Sequence, residues 1–239
     1  MELLNWRWPF NVKTAKEWQQ RMSLELTSDF EDKPLELIAG ADIGLIDGGR
    51  QVRAAICVFN VSDLSPVIAS IAIADNQMPY IPGLLAFREV PALCKAWEQL
   101  PLKPQLLLVD GQGIAHPRGF GNAAHLGWTL QIATIGVAKS RLVGEHLPLG
   151  ESFQDRQSLM YKGKSIGWVL RSKLRCNPLY ISPGNKVSVD QSLYWTRHCL
   201  DGYRLPKPTR FADSLASNRS NASRLFEIFP DTVGDIASY

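Results

Sequence analysis

The chain has 239 residues, of which 45% are hydrophobic and 21% charged, and its formal net charge is +3. This length and hydrophobic content suit one α/β domain whose core needs no disulfide. The four cysteines are far apart and form no CxxC or CxxxC pair, which excludes zinc-ribbon and redox motifs and favours buried free thiols.

The sequence contains no stretch as long as a membrane span. Residues 1–12 also lack the charged-then-apolar layout of a signal peptide. We therefore expect a cytoplasmic protein with no membrane partner, and a monomer is the simplest expectation.

Basic residues are concentrated between positions 136 and 175, where eight lysines and arginines face three acids. A basic stripe on a near-neutral body suits a partner with a phosphate backbone. The alternative is a solvated surface, which is the more common fate of a charge run.

The predicted elements begin with an N-terminal helical extension, residues 1–34, whose helical pattern runs from 14 to 26. Three strands with short turns follow, which indicates antiparallel hairpins. Next come a helix that Pro91 should kink, a strand, a second helix and a fifth strand. The predicted ranges are 37–44, 51–61 and 66–74 for the hairpin strands, then 84–99, 105–110, 122–132 and 134–138.

The order β-β-β-α-β-α-β is that of the α/β ribonuclease H-like fold: three antiparallel strands, then helix-linked parallel strands, in one mixed sheet flanked by helices. In that arrangement the first strand lies beside the fourth, so Asp42 and Asp110 should be neighbours. Beyond Lys139 we predict a hairpin at 160–172, a short strand at 179–182 and helices at 187–199 and 209–218. Residues from about 221 to 239 have weak periodicity and are expected to form a loosely held tail of the single domain, 1–239.

Asp110 ends the apolar run Leu106–Val109 and precedes Gly111. Ligands of open α/β sheets bind at this edge, so Asp110 could hold a metal. An acid before glycine is also ordinary turn and helix-cap chemistry, and this segment alone favours neither role.

Two other acids lie on elements that the fold brings to the same edge. Asp42 is inside an apolar strand and must be paired, metal-bound or outward-facing, and the small residues Ala39 and Gly40 beside it suggest that something approaches closely. Glu89 lies on the first predicted helix after strand three, where the alternative is a surface glutamate paired with Arg88 or Lys95. Three converging carboxylates suit Mg²⁺ and a phosphate substrate.

His116 and Lys139 are candidates for accessory catalytic roles. His116 could move a proton, and Lys139 could neutralise charge on a phosphorane. The alternatives are a loop histidine with a backbone partner and a strand-end lysine with a buried stem. His125 is expected to be a packed or capping residue.

The segment Pro79, Tyr80, Ile81, Pro82 and Gly83 predicts a stiff apolar loop. Such a wedge can enter a base stack, and Gly83 would permit close backbone approach. A turn with Tyr80 packed on the core is the alternative.

Five segments together resemble the endonuclease V family. They are AGADIG (39–44), MPYIPGLLAFRE (78–89), LLVDGQGIAHPRGFGNAAHLG (107–127), GVAKS (136–140) and LPKPTRFAD (205–213). The resemblance implies a deoxyinosine 3′-endonuclease that nicks the second phosphodiester bond 3′ to a deaminated purine, leaving a 3′-hydroxyl and a 5′-phosphate.

The resemblance also assigns residues to roles. It implies that Asp42, Glu89 and Asp110 are the catalytic and metal-binding acids, with Mg²⁺ or Mn²⁺ as cofactor, and that His116 and Lys139 are accessory. It implies Tyr80 at the tip of a wedge, and a hypoxanthine pocket near Gly83 and Gly111 read through backbone groups. Asp213, at the end of the last segment, could be a further metal neighbour or a helix residue, and we leave it outside this core site.

Alternative functions are a ribonuclease H-like nuclease for inosine RNA or junctions, and a nucleic-acid-binding module without catalysis. The expected partner is DNA with deaminated bases. The sequence leaves open the DNA or RNA preference, the number of metal ions and the role of Arg118.

Overall fold

The computed structural model describes residues 11–30, 34–76, 78–218 and 222–236. The strands are β1 Leu37–Ile46, β2 Gln51–Asn60, β3 Pro66–Asp75, β4 Leu106–Val109, β5 Ala133–Ala138, β6 Arg156–Tyr161, β7 Lys164–Leu170, β8 Leu179–Asn185 and β9 Val233–Gly234. They form a nine-stranded mixed sheet in the order β6-β7-β8-β5-β4-β1-β2-β3-β9.

The centre of this sheet is the predicted ribonuclease H-like arrangement. Strands β1, β2 and β3 pair as antiparallel hairpins, while β4 pairs in parallel with both β1 and β5. Strand β1 therefore lies between β2 and β4. Parallel pairing places the carboxyl ends of β4 and β5 at the same edge, where ligands of such sheets bind.

Six α-helices of the described chain accompany the sheet: α1 Val12–Met22, α2 Leu85–Gln99, α3 Asn122–Leu130, α4 Val189–His198, α5 Lys207–Ala216 and α6 Ala222–Ile228. Helices α2 and α3 cover one face, where their apolar side chains pack on the inner residues of β1 and β2. Helices α4, α5 and α6 cover the other face. Each face thus buries one half of the alternating strand residues. Helix α2 continues through Pro91, at the position where we predicted a kink.

Gly40 lets helix α5 lie directly on the sheet. A Cβ atom at Gly40 would lie 2.0 Å from the backbone carbon of Pro208, and one at Gly44 would lie 2.1 Å from the carbonyl oxygen of Ala216. Both contacts are far too close for a side chain. The close approach that the small residues near Asp42 suggested is therefore the approach of α5, and it carries Asp213 to β1.

The described part of the N-terminal extension is anchored by an aromatic cluster. The ring of Trp18 lies 5.1 to 5.7 Å from the rings of Phe87, Phe120, His125 and Trp128. These contacts join α1 to both α2 and α3. His125 is packed here, as expected, and burial lowers its pKa to about 3.

The C-terminal segment differs from the expected loose tail where it is described. Helix α6 places Phe229 in the core, and β9 adds to the sheet beside β3. Lys95 pairs with Asp235 at 3.0 Å. Burial of the Phe229 ring stabilises this segment against the fold, although the periodicity of its sequence is weak. Residues 1–10, 31–33, 219–221 and 237–239 of the two predicted extensions lie outside the described residues.

Candidate active site

Three carboxylates meet at the carboxyl edge of β4. Asp42, Asp110 and Asp213 each offer an oxygen within 4.8 Å of the others. The backbone N–H of Asp110 donates to the carbonyl of Ala41 at 3.0 Å, which fixes Asp110 beside Asp42. The predicted proximity of Asp42 and Asp110 is confirmed.

The third member of this cluster is Asp213 on α5, which the sequence left outside the core site. Its side chain is buried, and its position depends on the contact between α5 and Gly40. The signal that could have found it was the acid ending the segment 205–213 together with the small residues of β1.

The Lys139 ammonium group bridges two of these acids. It forms an ion pair with Asp110 and a second one with Asp213 at 2.8 Å. Partial burial lowers the pKa of Lys139, but the carboxylates outweigh that effect and raise it above its ordinary value. Lys139 is therefore a fixed positive charge at neutral pH.

The cluster disfavours full ionisation without a cation. Burial and then the charge of Asp110 raise the pKa of Asp42 well above its ordinary value. Burial also raises the pKa of Asp110, although Lys139 opposes this effect. Like charges in a low-dielectric site repel each other strongly, so a divalent cation would relieve the repulsion.

The donor set fits a hard divalent cation. Three carboxylates offer only oxygen atoms, which Mg²⁺ and Mn²⁺ accept, and the set has no soft sulfur ligand. Such a cation would compete with the Lys139 ammonium group for Asp110 and Asp213.

Glu89 lies near this cluster but is not one of its three members. Its carboxylate is buried, accepts a hydrogen bond from the Asn122 amide and pairs with Arg88 at 3.1 Å. Burial raises the pKa of Glu89, and the charge of Asp110 adds to that effect. The Arg88 pair that we considered for a surface glutamate therefore exists, but in a buried setting.

Three side chains converge on the carbonyl oxygen of Gly83. Arg118 Nη2 donates to it at 2.6 Å, Gln19 Nε2 donates at 3.1 Å and His116 Nε2 lies at 3.1 Å. Gln19 also accepts from Arg118 Nε at 2.6 Å and donates to the Phe120 carbonyl at 3.2 Å. We call these five residues the Gly83 network, and it gives Arg118 the role that the sequence left open.

Both ring nitrogens of His116 have partners within the protein. Nδ1 accepts the backbone N–H of Arg118 at 3.3 Å, which leaves Nε2 to donate to Gly83. Burial, and then the charge of Arg118, lowers the pKa of His116 to about 4, so the ring is neutral at pH 7. The proton-transfer role of His116 stays a prediction, and its geometry here is that of an anchor for Gly83.

The segment from Pro79 to Gly83 forms an exposed tip on a packed base. Tyr80 is 67% exposed, whereas Ile81 packs against the cluster formed by Ala15, Met78, Leu84 and Phe87. Gly83 has φ +76°, a conformation that favours glycine. The alternative of a core-packed Tyr80 is therefore wrong.

A cavity of about 270 Å³ connects these features. Its lining includes six residues that the sequence singled out, from the wedge, the β4 loop and the end of β5: Tyr80, Gly83, Asp110, Gly111, His116 and Lys139. Gly111 has φ +137°, and a Cβ atom there would lie 3.2 Å from the Asn122 side chain. Asp42 and Glu89 are not among the lining residues.

A family model described as Endonuclease V matches residues 17–214. This chain belongs to the endonuclease V family. Membership makes it a nuclease that acts on DNA, in a family of repair endonucleases for deaminated bases. The family resemblance of the five sequence segments is confirmed.

Solved structures of endonuclease V agree with this assignment. The enzyme from Streptomyces avermitilis is 33% identical, with a TM-score of 0.81, covering 91% of this chain and 96% of that one. The catalytic domain of human endonuclease V is 30% identical, with a TM-score of 0.80, covering 89% and 97%. Both confirm the ribonuclease H-like fold.

A more distant endonuclease V has the same fold. The Ciona intestinalis enzyme was solved in complex with a 24mer DNA containing an inosine followed by a ribo-adenosine. It is 21% identical, with a TM-score of 0.73, covering 89% of this chain and 99% of that one.

In the part of the chain that the structure describes, none of the helices combines the length and the apolar content of a membrane span.

Proposed function

We propose that this endonuclease V hydrolyses the second phosphodiester bond 3′ to deoxyinosine in DNA, with Mg²⁺ as its cofactor and Mn²⁺ as a substitute. The observation that carries the proposal is the convergence of three carboxylates, two buried and one half-buried, and Lys139 beside a cavity whose rim is the exposed Tyr80. The complex of the Ciona intestinalis relative with inosine-containing DNA supports the choice of substrate.

In this proposal Asp42, Asp110 and Asp213 hold the cation. A divalent cation bound there would supply a water of lowered pKa and neutralise charge on the phosphate. Asp213 takes the ligand position that we first gave to Glu89, because its oxygen belongs to the close cluster. Metal binding requires deprotonated carboxylates, whose pKa values are raised, so metal affinity should rise with pH.

Lys139 and Glu89 have different roles in this proposal, one as a positive charge beside the phosphate and the other as a proton acceptor. The Lys139 ammonium group, which lies against Asp110 and Asp213, would stabilise the negative charge that develops on the phosphate. The Glu89 carboxylate, which accepts a hydrogen bond from the Asn122 amide, would accept a proton through a water molecule. The products are a 3′-hydroxyl and a 5′-phosphate, with the lesion left in place.

Tyr80 and its neighbours Pro79, Ile81 and Pro82 would form the wedge that separates the damaged base from its stack. The extruded hypoxanthine would lie near Gly83 and Gly111. The Gly83 carbonyl already has three donors, so the wall at Gly83 would be held by the protein rather than by the base.

The test is a panel of inosine DNA, inosine RNA and junction substrates, with wild type, Asp110→Asn and an exposed control, Asp190→Asn. We expect wild type and Asp190→Asn to nick inosine DNA in Mg²⁺, and Asp110→Asn to be inactive. Inosine DNA left intact by the wild type would overturn the proposal. If the wild type cuts inosine RNA or junctions in preference to inosine DNA, the corresponding alternative function replaces the proposed one.

We also propose that the enzyme acts as a monomer, which gel filtration can test.

A further inference from the structure

A second cavity of about 460 Å³ lies next to the candidate active site. One wall is the loop that follows β4, from Ile114 to Gly119, and the opposite wall is the β6–β7 hairpin. His116 lines both cavities, so the two are adjacent at this residue. We call the second cavity the hairpin cleft.

The charge of the hairpin cleft has one sign. Of the described residues that line it, Arg118, Lys162 and Lys164 are basic and none is acidic. Arg118 keeps its charge while bonded to Gly83 and Gln19. Lys162 and Lys164 are exposed, and no carboxylate lies within ion-pair distance of either lysine in the described part of the chain.

The hairpin presents its two lysines in a defined geometry. The turn between β6 and β7 has Lys162 at φ +50° and Gly163 at φ +76°, as in a tight two-residue hairpin. The Lys162 ammonium group lies 5.2 Å from the centre of the Tyr161 ring. The two lysines therefore line the cleft from a short turn that is held by the pairing of β6 with β7.

We propose that the hairpin cleft binds backbone phosphates of the DNA on one side of the scissile bond, with Lys162 and Lys164 as the contacts. The inference rests on the proposed function, because it takes the strand in the active-site cavity to continue past His116. Phosphate contacts position a duplex without reading its sequence. The hairpin should therefore supply affinity for damaged and undamaged DNA alike, while Tyr80 supplies the preference for the lesion.

The test measures binding of a fluorescein-labelled duplex with one deoxyinosine, and of the matching undamaged duplex, in EDTA between about 50 and 200 mM KCl. The variants are Lys162→Asn, whose new residue tolerates positive φ, and the double variant Lys162→Asn with Lys164→Gln. The matched control is Lys186→Asn, because Lys186 also has positive φ (+53°) but lines neither the active-site cavity nor the hairpin cleft.

We expect the double variant to reduce the slope of log K against log salt by about 2, and to weaken binding roughly tenfold or more at about 0.1 M salt, equally for both duplexes. Lys186→Asn should bind both duplexes like the wild type. An unchanged slope, or a loss confined to the inosine duplex, would overturn the inference.

The two proposals fail in different ways. If the wild type nicks inosine DNA while the double variant binds like wild type, the inference about phosphate contacts in the hairpin cleft is wrong and the proposed function stands. If the wild type binds DNA through these lysines but does not nick it, the proposed function fails and the phosphate contacts stand.

Discussion

Replacing Gln19 by leucine tests how strongly the N-terminal helix holds the active-site loops. Gln19 is 1% exposed and makes three hydrogen bonds, two as a donor to Gly83 and Phe120 and one as an acceptor from Arg118. Gly83 would keep two donors, so the main costs are an Arg118 Nε without its acceptor and a Phe120 carbonyl without this donor.

These losses can be converted into a free energy of unfolding. A hydrogen bond to a charged group contributes about 1.5–3 kcal/mol, and a neutral one about 0.5–1.5 kcal/mol. Gln19→Leu should therefore lower the free energy of unfolding by about 2–4 kcal/mol. For a chain of this size the midpoint of thermal unfolding should fall by roughly 4–16 °C.

The assay is urea unfolding followed by circular dichroism, with Gln20→Leu as the control. Gln20 is the next residue on α1 and is exposed, so the control makes the same chemical change outside the network. Gln19→Glu should recover the bond from Arg118 but not the two donor bonds. Its free energy of unfolding should therefore lie between those of Gln19→Leu and Gln20→Leu. Equal stability of Gln19→Leu and Gln20→Leu would refute the reasoning.

Three further predictions follow from the same geometry. Asp213→Asn should weaken Mn²⁺ binding, measured by calorimetry, by about tenfold or more, because the site loses one ligand charge; affinity equal to that of Asp190→Asn would remove Asp213 from the metal site. Tyr80→Ala should weaken capture of an inosine duplex more than it slows the nicking step, since Tyr80 is an exposed tip away from the acids; unchanged inosine binding by anisotropy would contradict this role. His125→Phe should make the free energy of unfolding fall less as the pH is lowered. The buried His125 has a pKa of about 3 against 6.5 when unfolded, so below pH 6.5 the unfolded chain binds the extra proton and stability is lost as pH falls. Wild type should thus lose about 2 kcal/mol more than His125→Phe between pH 7.5 and 5. The carboxylates with raised pKa values act in the opposite direction, but both proteins contain them, and parallel stability curves would show that His125 does not carry this effect.

The sequence by itself determined the order of elements from β1 to β5 and the meeting of Asp42 with Asp110. Alternation of apolar residues and short turns defines the hairpin strands, and the parallel pairing of β1 with β4 then sets the two acids side by side. Five segments in the family order were enough to identify the endonuclease V family. These are local patterns, or follow from topology, so they can be read without coordinates.

Tertiary structure alone decided which third acid joins that pair. Glu89 and Asp213 both lie on helices near the sheet, and the choice depends on how closely each helix approaches β1. Helix α5 touches the backbone at Gly40, and Asp213 therefore reaches the cluster, while Glu89 is held by Arg88 and Asn122. The Gly83 network was equally hidden, because its donors come from segments far apart in the chain and meet only after packing.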